Sequence, residues 1–507
     1  MAVACNCNNR FGGIILPGKK DNEDEGCEFI KSMMMIWKTA WKNIWRNKTR
    51  SLVVIASVTT GVFAAVFTIA FMNGMIAQRF DAAINEEISH IQVTAKGFRL
   101  NNDPSVILVN ADSIEREILK IEGVKDIVRR SITGGMAGTA TANAGVEITG
   151  IDPEQEKKIF TLNNTILAGT GNYFEDTRKD LVLIGQDLAK QLNIIRFTID
   201  DSVILKLSGV LPARVTDSLK TLTGIRFDNE KKFNKSLRGV LSEKDSRKYF
   251  YIIKNEAWSY REGSRLTLTF FDKEENQVGA RFRIAGIYDT KNTVFEISSV
   301  FVRNSDLASL TEYPPDHINQ LIIKLNDIEE TVPVTEILRE KFPDLEIMNW
   351  KDLQPDLAMM TDYVHQIYGI LMVIIMAALA FGIVNTMLMA VLERTRELGM
   401  LTAIGMNRRK VFSMIMLESV FLSLTGGVAG MITGWIVITL TSQKGINFLQ
   451  YAEGMEAYGY SAHIFPQINF SFFIMMTLLV VITGILSSVY PALKALKLNP
   501  VEAIRSE

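Results

Sequence analysis

Apolar residues are gathered into a few long runs, and charged residues fill the chain between them. Four windows are long and apolar enough to cross a bilayer, which takes about 20 residues at 1.5 Å rise per residue. They are 51–78 (SLVVIASVTTGVFAAVFTIAFMNGMIAQ, free of charge), 366–392, 411–442 with Glu418 as its only charge, and 470–493. Soluble helices seldom stay apolar on every face for so long, so each window is predicted to be a transmembrane helix.

Lysine and arginine near the windows predict the orientation. Lys38, Lys42, Arg46, Lys48 and Arg50 precede the first window, and only Arg79 closely follows it. Arg394, Arg396, Arg408, Arg409 and Lys410 lie between the second and third. Lys444 alone follows the third, whereas Lys494, Lys497 and Arg505 follow the fourth. This pattern predicts both termini in the cytoplasm, a long extracytoplasmic segment 79–365, an outer loop 443–469 and a short cytoplasmic tail 494–507.

Ahead of the first window, Trp37, Trp41 and Trp45 recur every fourth residue, with Lys38, Lys42 and Arg46 on another face. Residues 33–50 are therefore predicted to form an amphipathic helix in the membrane interface, indoles at headgroup depth and cations toward anionic lipid. The alternative is a basic extension of the first span. Residues 1–32 contain no apolar stretch of the kind a signal sequence needs, and they read as a disordered tail.

Segment 79–365 alternates strand-like and helix-like pieces. Ile88–Thr94, Val124–Ile132, Leu181–Ile184, Arg281–Tyr288, Ser299–Val302 and Ile318–Leu325 read as strands. Helical patterns fall at Asp112–Gly123, which opens on a capping-box-like Asp-Ser-Ile-Glu, and at Gln186–Leu192, Ser305–Leu310 and Val334–Phe342. The stretch near 201–275, with a Lys-rich run at 231–248, reads as an insertion. The predicted fold is thus a membrane protein of four transmembrane helices, with a large α+β extracytoplasmic domain inserted between helices 1 and 2.

Composition sharpens this picture. Lys+Arg 55 against Asp+Glu 56 leaves a net charge of −1, without the basic excess expected of a nucleic-acid binder. A mean hydropathy of +0.14 alongside 22% charged residues requires apolar and charged positions to be segregated. Cys5, Cys7 and Cys27 are the only cysteines, so the rest of the chain has no disulfide. No G-x-x-x-x-G-K-[ST] loop, H-E-x-x-H or G-x-S-x-G occurs, and the four histidines are scattered. Glu86-Glu87 and Glu329-Glu330 are adjacent and point to different faces, which suits neither for paired acid/base work. We predict no catalytic residues and no metal site.

The loop 393–410, ERTRELGMLTAIGMNRRK, has an apolar centre and charged ends, as suits a short amphipathic helix docking into a partner's cleft. Glu418 lies about two turns inside the third window, where a carboxylate at the helix centre costs roughly 2.5–3.5 kcal/mol and less near the end. Pairing with Arg408 or Arg409 is the expected relief. Gly426, Gly430 and Gly434 form a small-xxx-small stripe for close helix packing.

Several motifs together carry a family resemblance. They are Ala40-Trp-Lys-Asn-Ile-Trp-Arg-Asn-Lys-Thr-Arg50, Arg394-Thr-Arg-Glu-Leu-Gly399, Thr402-Ala-Ile-Gly405, Tyr490-Pro-Ala-Leu493 and Asn499-Pro-Val-Glu-Ala-Ile-Arg505. In the long outer segment, LIGQDLAKQL at 183–192, FRIAGIY at 282–288 and Asn349-Trp-Lys-Asp352 add to it. With these motifs the chain resembles ABC transporter permease subunits of the FtsX-like/macrolide-exporter superfamily, most closely the lipoprotein-releasing branch.

The resemblance implies a bacterial inner-membrane permease without a cofactor of its own, ATP and Mg being held by a separate ATPase. That ATPase would dock on the 393–410 coupling helix, with Arg396, Glu397, Gly399, Leu401 and Gly405 as contacts. A second permease, identical or paralogous, would complete the membrane part. The cargo implied is a lipoprotein handed to a periplasmic carrier. Efflux of a drug or peptide through a tripartite pump, and an FtsX-like signal relay to an envelope hydrolase, are the alternatives. Macrolide exporters usually carry their ATPase in the same chain and the relays a smaller outer domain, which favours lipoprotein release.

Overall fold

The computed structural model describes residues 37–174, 178–261, 263–314 and 316–497. The predicted tail 1–32, all three cysteines and the chain beyond 497 lie outside the described residues. The chain divides into two compact units. A helical unit comprises the chain up to Asn73, Val364–Lys444 and the chain from Phe465, and an inserted unit comprises Gly74–Tyr363 with Gly445–Ile464.

In the helical unit the four apolar windows lie within the helices Lys48–Ala82, Pro355–Glu393, Arg408–Lys444 and Phe470–Leu496. A separate helix at 37–46 precedes the first, with a break at Asn47. Val58, Val62, Met376, Leu422, Met476 and Val480 belong to the common core of the bundle. The glycine stripe faces the first membrane helix. A Cβ on Gly426 would stand 2.8 Å from Val58, one on Gly430 2.7 Å from the Thr59 carbonyl, and one on Gly434 3.1 Å from Val66. Three glycines four residues apart thus receive three valines four residues apart, and Thr59 donates to the Gly426 carbonyl at 3.1 Å.

The inserted unit is built on one large sheet. Its strands are β1 (Ile91–Ala95), β2 (Val124–Gly138), β3 (Asn143–Ile151), β4 (Leu181–Gly185), β5 (Ile195–Thr198), β6 (Arg226–Phe227), β7 (Trp258–Tyr260), β8 (Arg265–Phe271), β9 (Gln277–Tyr288), β10 (Ser299–Arg303), β11 (Gln320–Leu325), β12 (Leu345–Asn349), β13 (Ile446–Asn447) and β14 (His463–Ile464). The large sheet runs β12-β1-β11-β2-β3-β10-β4-β9-β8, and β8 returns to pair with β2. The long β2 therefore serves two layers. Its first half pairs with β11 in a split βαβ arrangement, in which helices Ala111–Ile118 and Thr331–Lys341 supply Ile118, Val334 and Leu338 to the core. Its second half joins β3, β10, β4, β9 and β8 in a closed ring, which spares six strands an open edge.

The insertion is smaller than the sequence suggests. Residues 195–260 form a satellite with their own sheet, β6-β5-β7, around Phe197, Leu219, Phe233, Leu237 and Ile253. Residues 265–271, placed in the insertion by the sequence, belong to the main sheet. Leu266, Leu268 and Phe270 alternate inward and share a core with Phe282. Three of the satellite's helices are started by side-chain caps, Asp200 accepting from the Val203 amide, Asn229 from Lys232 and Ser242 from Asp245.

Just before β1, His90 is buried and its Nδ1 accepts the Leu325 amide hydrogen at 2.8 Å. Burial, helped by the Lys324 ammonium, lowers its pKa to about 4. In an unfolded chain the ring protonates near 6.5, so the folded form is disfavoured as pH falls from there toward 4. Above 6.5 the term is constant. The full chain in detergent should lose up to about 3 kcal/mol of inserted-unit stability across that window. Comparing the unfolding temperature of wild type and His90→Gln from pH 7 to pH 4.5 checks this, since the variant must lack this part of the slope.

Candidate functional site

The loop between the second and third membrane helices holds the most organised polar cluster in the helical unit. Within 393–410 the helix proper is Thr395–Ala403, shorter than the predicted coupling helix. Gly405 stops it. That residue lies in the left-handed region at φ +101°, which favours glycine, and the Met406 amide folds back to the Leu401 carbonyl at 3.0 Å. Asn407 then opens the third membrane helix by accepting from the Arg409 amide at 3.0 Å.

The faces of this short helix differ from expectation. Leu398 and Gly399 are buried, and Leu401 packs against the bundle core. Arg396, Met400, Ala403, Ile404 and Gly405 are exposed, Ile404 at 85% and Met400 at 44%. Of the five predicted contact residues, Arg396 and Gly405 face outward, Gly399 and Leu401 face the bundle, and Glu397 is held in ion pairs. The period of 3.6 residues separates the two sets, because 400 and 404 lie one turn apart and opposite 398.

Glu418 is also paired differently. Arg394 donates to its carboxylate at 3.0 and 3.3 Å, in place of the expected Arg408 or Arg409. Both of those arginines are exposed. Arg394 leaves the end of the second helix and approaches Glu418 across the bundle, while 408 and 409 lie more than two turns before it on the same helix. Arg394 also meets Glu397 at 3.2 Å, and Arg46 donates to Glu397 at 2.6 Å. The Arg46 hydrogen bond, seconded by Arg394, holds the Glu397 carboxyl below the usual carboxylate range despite partial burial. Arg50 is ion-paired with Glu393. These groups, with Ser51, line a polar cavity of about 240 Å³.

Helix 37–46 buries Ala40 and Ile44 against the unit. Its tryptophans are about half exposed. Trp37 and Trp41 set their edges against Phe421 of the third membrane helix, at 5.1 and 5.7 Å between ring centroids, and Trp45 packs edge-on with Trp41. Sequence reasoning does not pair Arg50 with Glu393 or Arg46 with Glu397. Their signal was present as spacing alone: arginines four apart at 46 and 50, glutamates four apart at 393 and 397. Among the described residues no group of three or more His, Cys, Asp or Glu is placed to hold a metal ion.

Comparison with known proteins assigns two segments. Residues 369–500 match the family described as FtsX-like permease C-terminal, and residues 51–234 match the MacB-like periplasmic core domain. The macrolide export ATP-binding/permease protein MacB of Bdellovibrio bacteriovorus is 24% identical over 405 residues, covering 79% of this chain and 50% of that protein. The lipoprotein-releasing system transmembrane protein LolC of Xylella fastidiosa is 21% identical over 233 residues, 45% of this chain and 55% of that one. The solved extracellular domain of the transporter YknZ aligns at a TM-score of 0.26 and 10% identity, over 51% of this chain and 99% of that one. The chain spans half or less of the length of the first curated relatives it matches.

Proposed function

Starting from a chain with an FtsX-like permease C-terminal domain and a MacB-like periplasmic core, of the MacB/FtsX/LolC kind of ABC transporter permease, we propose that it converts nucleotide-driven movement of a separate ATPase into work outside the membrane. The observation that carries this is the outward stripe of Arg396, Met400 and Ile404 on a helix whose opposite face is fixed to the bundle. Exposed aliphatic side chains at the tip of a loop flanked by arginines suit a partner's cleft better than water. The reading places both termini and this loop in the cytoplasm of a bacterium, the inserted unit in the periplasm, and a second permease beside this one in the inner membrane. ATP and Mg belong to the ATPase, and the chain itself performs no hydrolysis.

The cargo we propose is a lipoprotein, drawn from the membrane and passed to a periplasmic carrier. The LolC relative and the sequence motifs of the outer segment support it. Efflux is the second reading, favoured by the match to a macrolide exporter over 79% of the chain. In a background lacking Cys5, Cys7 and Cys27, a cysteine at position 230 should react with an impermeant maleimide in intact spheroplasts and one at 402 should not. The reverse pattern overturns the orientation. Photo-crosslinkers placed on the inserted unit in cells should then capture acylated proteins under the first reading and small amphiphiles or an outer-membrane channel assembly under the second.

A further inference from the structure

The ion pairs beside the docking stripe are in register. Arg46 and Arg50 stand four residues apart at the junction of helix 37–46 with the first membrane helix, and Glu393 and Glu397 stand four apart at the end of the second. They pair antiparallel, 46 with 397 and 50 with 393. Arg394 sits between the two glutamates and carries the contact on to Glu418 of the third helix. The break at Asn47 is spanned from within, because the Ser51 hydroxyl donates to the Ile44 carbonyl and the Ser51 amide to the Asn47 carbonyl. Helix 37–46 is thereby held to the first span and to the 395–403 helix at once.

Stability does not account for this arrangement. The side chains of Arg46, Glu397 and Glu393 are about half exposed, and exposed ion pairs add little to folding. What two rungs at matched spacing do provide is register and direction: they resist sliding and rotation of one helix against another, as charged flanking positions do in coiled coils. The polar cavity behind them leaves room for the Arg394, Glu397 and Arg46 side chains to shift without opening the apolar core.

We infer that the Arg46–Glu397 and Arg50–Glu393 ladder makes the N-terminal helix a second arm of the coupling device, so that displacement of the 395–403 helix is delivered to the first membrane helix directly as well as through the second and third. Arg50 and Glu393 are positioning residues in this scheme. The inference rests on the docking reading above.

Its test uses the full chain, reconstituted in nanodiscs with its cognate ATPase, carrying nitroxide labels at positions 42 and 442 within the helical unit. Adding ATP and vanadate should change the 42–442 distance in wild type. Arg50→Glu and Glu393→Arg should each reduce that change at least fivefold while ATP turnover stays within twofold of wild type. The combined R50E/E393R swap should restore the movement, which a merely structural role would not. Arg50→Gln and Glu393→Gln serve as milder variants should a charge reversal impair insertion.

No distance change in wild type, or single variants that move like wild type, or a swap that fails to rescue, would each overturn the inference. Failure of the docking reading is seen separately, as unchanged ATPase co-purification when Met400 and Ile404 are replaced by glutamate.

Discussion

Met400→Glu together with Ile404→Glu should strip the chain of its ATPase. Ile404 is 85% exposed and Met400 44%, on the outer face of a helix whose inner face is already satisfied. Burying such side chains in a partner contributes roughly 1.5–3 kcal/mol each, and replacing them with charges forfeits that and adds desolvation. The pair should therefore weaken association at least about 100-fold, the equivalent of some 2.8 kcal/mol. Co-purification from detergent and ATP turnover of the reconstituted complex both read it, and an unchanged complex would remove the docking surface from this helix.

Gly399→Trp, the substitution a sequence reading would choose, tests something else. Gly399 is buried, so the indole would disturb packing of the helix on the bundle before any partner arrived. Glu397→Lys likewise reverses contacts with Arg46 and Arg394 rather than altering the exposed stripe.

The second large effect belongs to the inserted unit. Arg79 and Glu87 form a buried ion pair, 2.8 Å between Nη1 and Oε1, with side chains 7% and 2% exposed. Asn292 donates to the same carboxylate at 2.9 Å, and Arg79 reaches the Gln354 side-chain oxygen at 3.5 Å. Three stretches of chain, at 79–87, 292 and 354, meet around this ion pair. Glu87→Ala leaves a guanidinium buried without its counter-charge, an alteration that costs about 3–5 kcal/mol. Glu87→Gln keeps an acceptor for Asn292 and should cost less. Replacing both partners, Arg79→Met with Glu87→Leu, should recover much of the loss, because the desolvation of both charges disappears with them. Thermal unfolding and limited proteolysis of the full chain at the inserted unit order these variants. Wild-type behaviour of Glu87→Ala would show that the pair is solvated.

Adjacency hid this pair from the sequence. Glu86-Glu87 reads as two adjacent carboxylates that point to different faces, poorly placed for paired acid/base work. What Glu87 does depends on Arg79 two turns earlier, across a π-helical segment at Ala83–Ile88, and on Asn292 some two hundred positions away. The edge of the satellite is hidden from the sequence for a related reason. Residues 265–271 alternate cleanly, and alternation marks a strand without saying which sheet receives it. Pairing with β9 and β2 settles that membership.

Some properties were legible in residue order alone because they need only short windows of chain. Four apolar windows announce helices, since any unpaired backbone group in lipid is prohibitive and a helix pairs all of its own. The α+β character of the long intervening segment follows from periods of two and of 3.6 residues. The glycine stripe at 426, 430 and 434 is a packing face by spacing alone, although only the structure shows that Val58, Val62 and the Thr59 backbone fill it. Tertiary structure decided every property that depends on a partner far along the chain: Glu418 with Arg394, Glu397 with Arg46, and the outward turn of Met400 and Ile404. Charge pairing acts through space with almost no preference along the chain, so many arginines compete on paper for each buried glutamate, and only the packed geometry selects one.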